Sequence, residues 1–322
     1  MPPLKLTFAC GLYDRMLPLY TKEVVPEGID LAFEVHDDPR QTFDRMARDQ
    51  AYDVAEMSSS EFIQRFAAGQ CPFVALPVFA SRVFRHSFIW VNRRHVRAPQ
   101  DLAGQRIGVP LYTMTAAIWM RGHLMHDYGV DLSRVRWVQG AINAATAHGS
   151  PTVLPLLKPV TIESNHGRSL SDLLDTGDIA AMLGTNPPDS ARTNPDVVRL
   201  FPNFRDVERD YYRRTKIFPI MHLIVIRKDV AETHPFAAKS LYAAFCRAKD
   251  VALARMKYTG TLRYMLPFLT DDLEEIEQVF GGDPWPYGIE PNRPTLEALV
   301  RYLAEQNVIA KELPVESLFA PV

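Results

Sequence analysis

Two histidines occupy segments of the sequence that otherwise have the composition of buried strands. His222 lies within the apolar run 217–227, and His86 precedes a further apolar run at 87–92. An imidazole changes charge near neutral pH, so it suits proton transfer, and its nitrogens also bind metal ions. We predict that His86 and His222 form a proton-transfer pair or a ligand pair. The alternative is that each is a core histidine whose hydrogen bonds are satisfied internally.

Acidic side chains stand at predicted strand ends and on a predicted helix face. Glu56 closes the third predicted strand, and Asp14 follows the first one, next to Arg15. Glu208 and Tyr212 are four residues apart, so on a helix they share a face and present a carboxylate and a phenol together. We expect these groups at the functional site, although Asp14 with Arg15 also fits a surface turn with a local ion pair.

A row of serines separates the third predicted strand from the helix that follows it. Ser58 and Glu61 have the spacing of a capping box, in which the hydroxyl bonds the backbone at the start of the helix. Ser58, Ser59 and Ser60 also bring hydroxyls and N–H groups to one turn, as an anion site at a helix start requires. We predict that Ser58 and Ser59 bind substrate.

A second polar turn precedes a long predicted helix at about 115–128. Tyr112, Thr113 and Thr115 bring hydroxyls to the start of that helix, where the helix dipole favours an anion. Arg121, on the same helix, points either toward the cleft or toward water. Trp285, between two prolines, belongs either to a lid over an aromatic ligand or to a packed connection between helices. All five, with Arg15 and Tyr212, are predicted substrate-binding residues.

Short apolar runs that alternate with helical stretches must position these side chains. Predicted strands lie at 4–9, 31–35, 52–57, 73–79, 87–92, 106–109, 134–138, 178–183, 197–200 and 217–227. Strands that alternate with helices indicate largely parallel sheets. We predict an α/β clam-shell of two lobes, with two crossover strands. Residues 1–92 and 220–322 form a discontinuous first lobe, 93–219 form the second, and the site lies in the cleft.

Composition and charge exclude several classes of partner. The 322 residues carry 36 Lys+Arg against 38 Asp+Glu, a net charge of −2, so no global field recruits nucleic acid or an anionic membrane. The three cysteines lie far apart, which predicts neither a disulfide framework nor a Cys-based zinc site. His123 and His126 are interpreted as part of a solvated helix face. The N-terminus has no signal-peptide pattern, and we expect a cytoplasmic protein that forms homo-oligomers.

Several of these motifs together resemble one enzyme family. The segment 101–110, DLAGQRIGVP, resembles the start of the second lobe in type II periplasmic-binding-protein folds. The other motifs are Tyr13-Asp14-Arg15, Glu56-Met57-Ser58-Ser59, Arg85-His86-Ser87, Tyr112-Thr113-Met114-Thr115 with Trp119 and Arg121, Phe218-Pro219-Ile220-Met221-His222, and Asp283-Pro284-Trp285-Pro286-Tyr287. Over nearly the full length they resemble the 4,5-dihydroxyphthalate decarboxylase family, cytoplasmic enzymes with a solute-binding-protein-like fold. The resemblance implies conversion of 4,5-dihydroxyphthalate to protocatechuate with release of CO2.

Such a reaction assigns roles to the predicted residues. Loss of CO2 from an aromatic ring without a redox cofactor requires a proton at the carboxylated carbon, a stabilised hydroxyl para to it, and an anchor for the remaining carboxylate. The proton-transfer candidates are His86 and His222, the orienting groups or phenol base are Glu56, Glu208 and Asp14, and the carboxylate anchors are Arg15, Ser58, Ser59, Thr113 and Thr115. We expect no required cofactor. Alternatively, His86 and His222 hold a divalent metal that chelates the catechol oxygens.

Two other functions fit the same predicted fold. One is a binding protein that performs no chemistry, such as a solute receptor or a sensor for a small aromatic carboxylate. The other is an enzyme of pyrimidine or cofactor synthesis, whose expected glycine- or cysteine-rich signature is not evident in the sequence. The fold alone does not separate them, because function depends on the site.

Overall fold

Two sheets with a helix layer on each form the framework that positions the site. The computed structural model describes residues 2–148, 153–165 and 167–322. The strands are β1 (Leu4–Cys10), β2 (Ile29–Val35), β3 (Val54–Ser58), β4 (Phe73–Arg82), β5 (Ile89–Asn92), β6 (Arg106–Val109), β7 (Arg136–Gln139), β8 (Ile162–Ser164), β9 (Ala181–Leu183), β10 (Val197–Arg199) and β11 (Ile220–Arg227). The first sheet has the order β2-β1-β3-β11-β4, and the second has the order β10-β5-β9-β6-β7-β8.

Each sheet contains one strand that runs against the others. In the first sheet β11 pairs antiparallel with β3 and β4, whereas β1, β2 and β3 are parallel. In the second sheet β5 pairs antiparallel with β9 and β10, whereas β6 is parallel to β7 and β9. The reversed strands, β5 and β11, are those that follow the two crossings between lobes. This arrangement confirms the predicted fold class of two mostly parallel sheets with two crossover strands.

The helices cover the sheets and tie the C-terminal part of the chain to both lobes. They are α1 (Leu17–Tyr20), α2 (Pro39–Asp49), α3 (Ser59–Ala67), α4 (Thr115–His126), α5 (Leu170–Thr176), α6 (Phe204–Thr215), α7 (Lys228–Thr233), α8 (Phe236–Lys257), α9 (Leu269–Phe280) and α10 (Arg293–Glu305). The first sheet packs against α2, α3, α7 and α8, while α10 packs against α4. No helix in the described parts of the chain is long and apolar enough to cross a membrane.

The chain crosses between the sheets at 83–88 and again at 216–219, and we call these two segments the hinge. The backbone N–H of Val83 donates to the carbonyl of Pro219, at 3.1 Å, so the two crossings are bonded to each other. Because β5 already belongs to the second sheet, the outgoing crossing lies before residue 89, whereas the predicted lobe boundary followed residue 92. The outgoing crossing therefore begins at the end of β4, the strand of the first sheet that pairs with β11.

A close helix contact joins α4 to α10, and it makes a prediction about stability. Gly122 on α4 has no room for a side chain, because a Cβ there would overlap the ring of Tyr302 on α10. Alanine normally favours a helix over glycine by about 1 kcal/mol. Here we expect Gly122→Ala to lower the free energy of unfolding by about 1–3 kcal/mol, since overpacking outweighs propensity.

Urea denaturation of four proteins tests this contact: the unaltered chain, Gly122→Ala, Tyr302→Leu and the double variant. The double variant should be less destabilised than the sum of the two single variants, because the smaller leucine relieves the overlap. A stabilised Gly122→Ala variant would contradict the packing.

Candidate active site

A cavity of about 500 Å³ lies between the two lobes, and we call it the cleft. The first sheet and its helices contribute one wall, the start of α4 contributes the other, and the hinge forms the floor. Polar side chains that line the cleft include Arg40, Ser58, Arg85, Thr115, His148 and His222. A volume of this size suits a small organic ligand. The crossings and the helix starts therefore meet where the sequence predicted the site.

His222 lies in the cleft and is backed by a buried carboxylate. Its Nδ1 is 2.6 Å from Oε1 of Glu56, which is fully buried on the neighbouring strand β3. The phenol of Tyr13 donates to the same Oε1 at 2.8 Å, and the backbone N–H of Gly11 donates to Oε2 at 3.1 Å. Because Nδ1 is held by the carboxylate, Nε2 is the ring nitrogen available to a ligand.

The hydrogen bonds around Glu56 keep this carboxyl ionised. Burial alone raises its pKa, but the hydrogen bond and charge of His222, with the bonds from Tyr13 and Gly11, bring the pKa below its ordinary value. A charged carboxylate behind an imidazole fixes the orientation of the ring and stabilises its protonated form. The pair of Glu56 and His222 thus has the arrangement of an oriented proton donor and acceptor.

Arg85 lines the cleft but was not among the predicted site residues, although the motif Arg85-His86-Ser87 was recognised in the sequence. Its side chain is 6% exposed, its Nε contacts the sulfur of Met221 at 3.2 Å, and its guanidinium lies over the ring of Phe88. Within the described residues, no acceptor is bonded to its two terminal nitrogens. Burial lowers the pKa of Arg85 to about 10, so it stays charged at neutral pH. The charge of Glu208 acts on Arg85, but no carboxylate oxygen of the described residues lies within 4 Å of its guanidinium, so the cleft contains a planar fork that can bind a carboxylate.

Arg40 also lines the cleft, but its guanidinium is already bonded to two carboxylates. It bonds both oxygens of Asp44 and both oxygens of Glu61. Burial lowers the pKa of Arg40, and the hydrogen bonds and charges of Glu61 and Asp44 more than reverse this effect. His148 lies on the opposite wall, and its pKa is lowered by burial and by the charge of Arg40. Arg40 therefore stabilises the wall of the cleft through its bonds to Asp44 and Glu61. Arg85 is the better anchor for a ligand.

The serine turn and the threonine turn meet across the cleft, where Ser58 and Thr115 both line the cavity; that they bind substrate stays a prediction. Ser58 Oγ is 3.0 Å from Thr115 Oγ1, which also accepts the backbone N–H of Ser60 at 3.1 Å. The predicted capping box is wrong, because the Ser58 hydroxyl makes no cap bond. Glu61 is instead bonded to Arg40. These hydroxyls bridge the lobes at the starts of α3 and α4.

Ser59 and Thr113 lie beside these bridges. The hydroxyls of both residues are buried without a hydrogen-bond partner among the described residues, and the Thr113 carbonyl accepts from Ser60 Oγ at 2.9 Å. Neither residue lines the cleft as the structure shows it. Their role as carboxylate anchors stays a prediction.

His86 and Glu208, the other predicted acid–histidine pair, lie together at the hinge and do not line the cleft. His86 Nδ1 is 4.0 Å from Glu208 Oε1, which accepts the backbone N–H of Ser87 at 3.1 Å. The His86 ring stacks on His123, with centroids 4.6 Å apart, and contacts Tyr211 edge-on. His123 is fully buried, so the predicted solvated helix face is wrong at that position. Catalysis by His86 stays a prediction.

The buried histidine stack makes acid destabilise the protein. Burial, with the neighbouring His123, lowers the pKa of His86 from 6.5 to about 3. Between pH 6.5 and pH 3 His86 binds a proton in the unfolded chain but not in the folded chain. Stability is therefore lost as the pH falls below 6.5. At pH 5 this single group costs roughly 2 kcal/mol. His86→Leu should therefore lose less stability than the unaltered protein between pH 7 and pH 5.

Urea unfolding at the two pH values measures this difference. The matched control is His234→Leu, at a half-buried position at the end of α7, which should keep the pH dependence of the unaltered protein. Equal pH dependence in His86→Leu and the control would show that the His86 ring is not held neutral by burial.

Asp14, Arg15 and Trp285 meet in a separate cavity of about 310 Å³ behind the hinge. The Arg15 guanidinium lies between the rings of Tyr13 and Trp285, at 4.4 and 4.3 Å from their centroids, and bonds Asp14 at 3.0 Å. The aromatic rings of Phe84, Phe218, Phe280 and Tyr212 pack against one another beside this cavity. The local ion pair considered for Asp14 and Arg15 is present. The structure does not bring these predicted binding residues into the cleft.

Arg121 points neither toward the cleft nor toward water. It is 1% exposed and, with Tyr112, lines a further cavity in the second lobe. Among the described residues, no cluster of three or more His, Cys, Asp or Glu side chains has the arrangement of a metal site. The predicted pair of metal ligands is also divided, because His222 faces the cleft and His86 does not.

No family model matches the sequence, but solved structures match the fold. The periplasmic aliphatic sulphonate binding protein SsuA of Escherichia coli gives a TM-score of 0.54 at 12% identity, over 99% of this chain and 92% of that one. The desulfurization enzyme DSZB gives a TM-score of 0.50 at 15% identity, over 99% and 96% of the two chains. At such identities the likeness shows a shared fold and nothing about activity.

Fold and site together define a two-lobed α/β protein of the periplasmic-binding-protein type, with a carboxylate-backed histidine in its cleft. A 4,5-dihydroxyphthalate decarboxylase of Comamonas testosteroni is 37% identical over this whole chain and 98% of its own length. A second, of Pseudomonas putida, is 37% identical over 66% of this chain and 83% of its own. The chain belongs to the 4,5-dihydroxyphthalate decarboxylase family, and a decarboxylase is a carboxy-lyase.

Proposed function

We propose that this protein removes CO2 from 4,5-dihydroxyphthalate to give protocatechuate, and that the reaction takes place in the cleft. The observation that carries the proposal is the pair of Glu56 and His222, joined at 2.6 Å, with Nε2 of His222 left for a ligand. The names of the relatives supply the substrate. The two features agree, because an aromatic decarboxylation without a redox step needs a positioned proton donor.

The proton balance of the reaction fits a single histidine. Protonated His222 gives its proton to the ring carbon that bears the leaving carboxylate, and a dearomatised intermediate forms. The C–C bond then breaks, its electron pair restores the aromatic ring, and CO2 leaves. Each carboxylated carbon of this substrate has a hydroxyl para to it, so loss or sharing of that phenol proton stabilises the intermediate. The carboxylate of Glu56 stabilises the imidazolium before the transfer.

The retained carboxylate requires a cationic anchor, and Arg85 is the one that the cleft offers. Its guanidinium lines the cleft with no carboxylate of the described residues within 4 Å, while the charge of Glu208 acts on it from farther away, and it contacts Met221, the neighbour of His222 in sequence. Ser58, beside His222 on the first sheet, and Thr115, at the start of α4 on the opposite wall, add hydroxyl groups to the lining. In this arrangement one carboxylate is held while the other lies near the proton donor.

The direct test is to incubate the purified protein with 4,5-dihydroxyphthalate and to measure CO2 and protocatechuate. We expect equal amounts of the two products, and no release from phthalate, which lacks the para hydroxyl. Binding of 4,5-dihydroxyphthalate without release would instead identify the protein as a binding protein or sensor.

The same assay with a chelator tests the cofactor prediction. We expect an unchanged rate, because the proposed proton transfer uses only side chains. Loss of activity with the chelator, restored by a divalent cation, would favour metal chelation of the catechol oxygens. Self-association and a cytoplasmic location stay predictions from the sequence.

A further inference from the structure

The second lobe contains a cavity that the proposed reaction does not use. It measures about 610 Å³ and lies between α4, β7 and the residues that follow α10; we call it the second-lobe cavity. Its volume is within the range of about 300–1,000 Å³ typical of small-ligand sites. It borders the segment 111–115, in which Leu111 and Met114 face the cleft and Tyr112 faces this cavity. The cavity and the cleft are therefore separate but adjacent.

Arg121 forms one wall of this cavity, and the described residues that bind its guanidinium are neutral. Its Nε donates to Gln306 Oε1 at 2.7 Å, its Nη2 donates to the carbonyl of Tyr112 at 2.8 Å, and its plane lies 3.9 Å from the Tyr112 ring centroid. The remaining nitrogen, Nη1, is buried and has no hydrogen-bond partner in the described part of the chain. Arg121 thus retains an unused donor and an uncompensated charge.

The carboxylates that line the cavity are engaged elsewhere. Asp131 accepts the backbone N–H of Ser133 at 2.9 Å, and Glu305 contacts His126 Nε2 at 2.6 Å. None of the described carboxylates lies within 4 Å of the Arg121 guanidinium. A buried cation without a counter-ion is costly, and an anion that reaches it removes this cost.

The rest of the lining selects the shape of such an anion. Trp137, Val130, Val135 and Val160 give the cavity aromatic and apolar walls, which suit a planar ring. A single cation matches a single negative charge. We infer that the second-lobe cavity binds a small aromatic monocarboxylate, with the carboxylate on Arg121 and the ring beside Trp137. The inference is independent of the proposed function, because none of its residues lines the cleft.

Isothermal titration with benzoate tests the inference, and Arg85→Met removes the anchor of the cleft so that the two cavities are distinguished. In that variant we expect benzoate to bind with little change in Kd. Adding Arg121→Gln to the Arg85→Met variant should weaken benzoate binding at least tenfold. Because loss of Arg121 also risks misfolding, Thr161→Trp provides a second variant. Thr161 is exposed at the cavity, and an indole there should block the ring site and weaken binding similarly while leaving Arg121 in place.

Two controls complete the experiment. Thr259→Trp, an exposed position remote from the lining residues, should leave benzoate binding unchanged, and benzyl alcohol, which has the ring without the charge, should bind at least tenfold more weakly. If Arg85→Met abolishes binding, or if Arg121→Gln and Thr161→Trp both leave it unchanged, the inference is wrong.

Discussion

Replacing His222 by glutamine should lower kcat for decarboxylation of 4,5-dihydroxyphthalate by roughly 100- to 10,000-fold, the range expected for loss of a positioned general acid. Glutamine retains a polar group in the cleft but cannot give a proton to a ring carbon. The same substitution leaves Arg85 and the hydroxyls of Ser58 and Thr115 in place. KM should therefore change much less than kcat, and steady-state kinetics separates the two effects.

Two further variants distinguish a chemical role from a structural one. His234→Gln changes a half-buried histidine outside the cleft and should keep full activity. Glu56→Gln keeps the shape of the side chain but removes the charge behind the imidazole, so it should also lower kcat. If circular dichroism shows that His222→Gln is folded and its kcat is near normal, another group transfers the proton. His86 would then be the next candidate.

The fold was predictable because each strand carries its own local pattern. The run 4–9 alternates along the strand that became β1, and 217–227 is apolar on both faces, as β11 requires between β3 and β4. Parallel strands separated by helices leave few possible topologies. The short strand β8 was missed, because its three residues, Ile-Glu-Ser, carry no periodic signal.

The pairing of side chains was less predictable, because it depends on contacts across long stretches of sequence. Glu56 and His222 were both predicted, yet their contact spans 166 residues and follows from the register of β3 with β11. Ser58 has the spacing of a capping box, and only the second lobe reveals that its hydroxyl binds Thr115 instead. A local pattern identifies which groups are polar and unusual, but tertiary packing decides which of them meet.

Arg85 and His86 are adjacent in sequence, but only Arg85 lines the cleft. Arg85 stands at the start of a short 3-10 turn, His86–Phe88, so the backbone is not extended between the two residues. Val83 and Arg85 face the cleft, whereas Phe84 faces the cavity behind the hinge and His86 enters the buried stack with His123. Sequence reasoning favoured the histidine for its chemistry. A turn this short carries no periodic signal, so the sequence did not show which of the two adjacent residues reaches the cleft.

Arg85→Met should lower kcat/KM for 4,5-dihydroxyphthalate by roughly 30- to several-thousand-fold, corresponding to about 2–5 kcal/mol for loss of a buried charge pair. Methionine keeps much of the length and apolar surface of the side chain, so the packing against Phe88 is retained. Most of the loss should appear in KM, because the retained carboxylate is bound equally in the ground state and the transition state. Arg85→Lys should recover only part of it, since an ammonium cannot form the paired bonds of a guanidinium.

The matched control is Arg213→Met, at an exposed arginine of α6 whose partner, Asp210, is also exposed. It should leave both kinetic parameters unchanged. Thermal denaturation of each variant shows whether a kinetic loss reflects unfolding, and Arg85→Met should be about as stable as the unaltered protein, because removal of a desolvated charge offsets the lost attraction between Arg85 and Glu208. That combination, weaker substrate binding with undiminished stability, is what a ligand anchor predicts. A structural arginine predicts the reverse, with lower stability and an unchanged KM in the folded fraction.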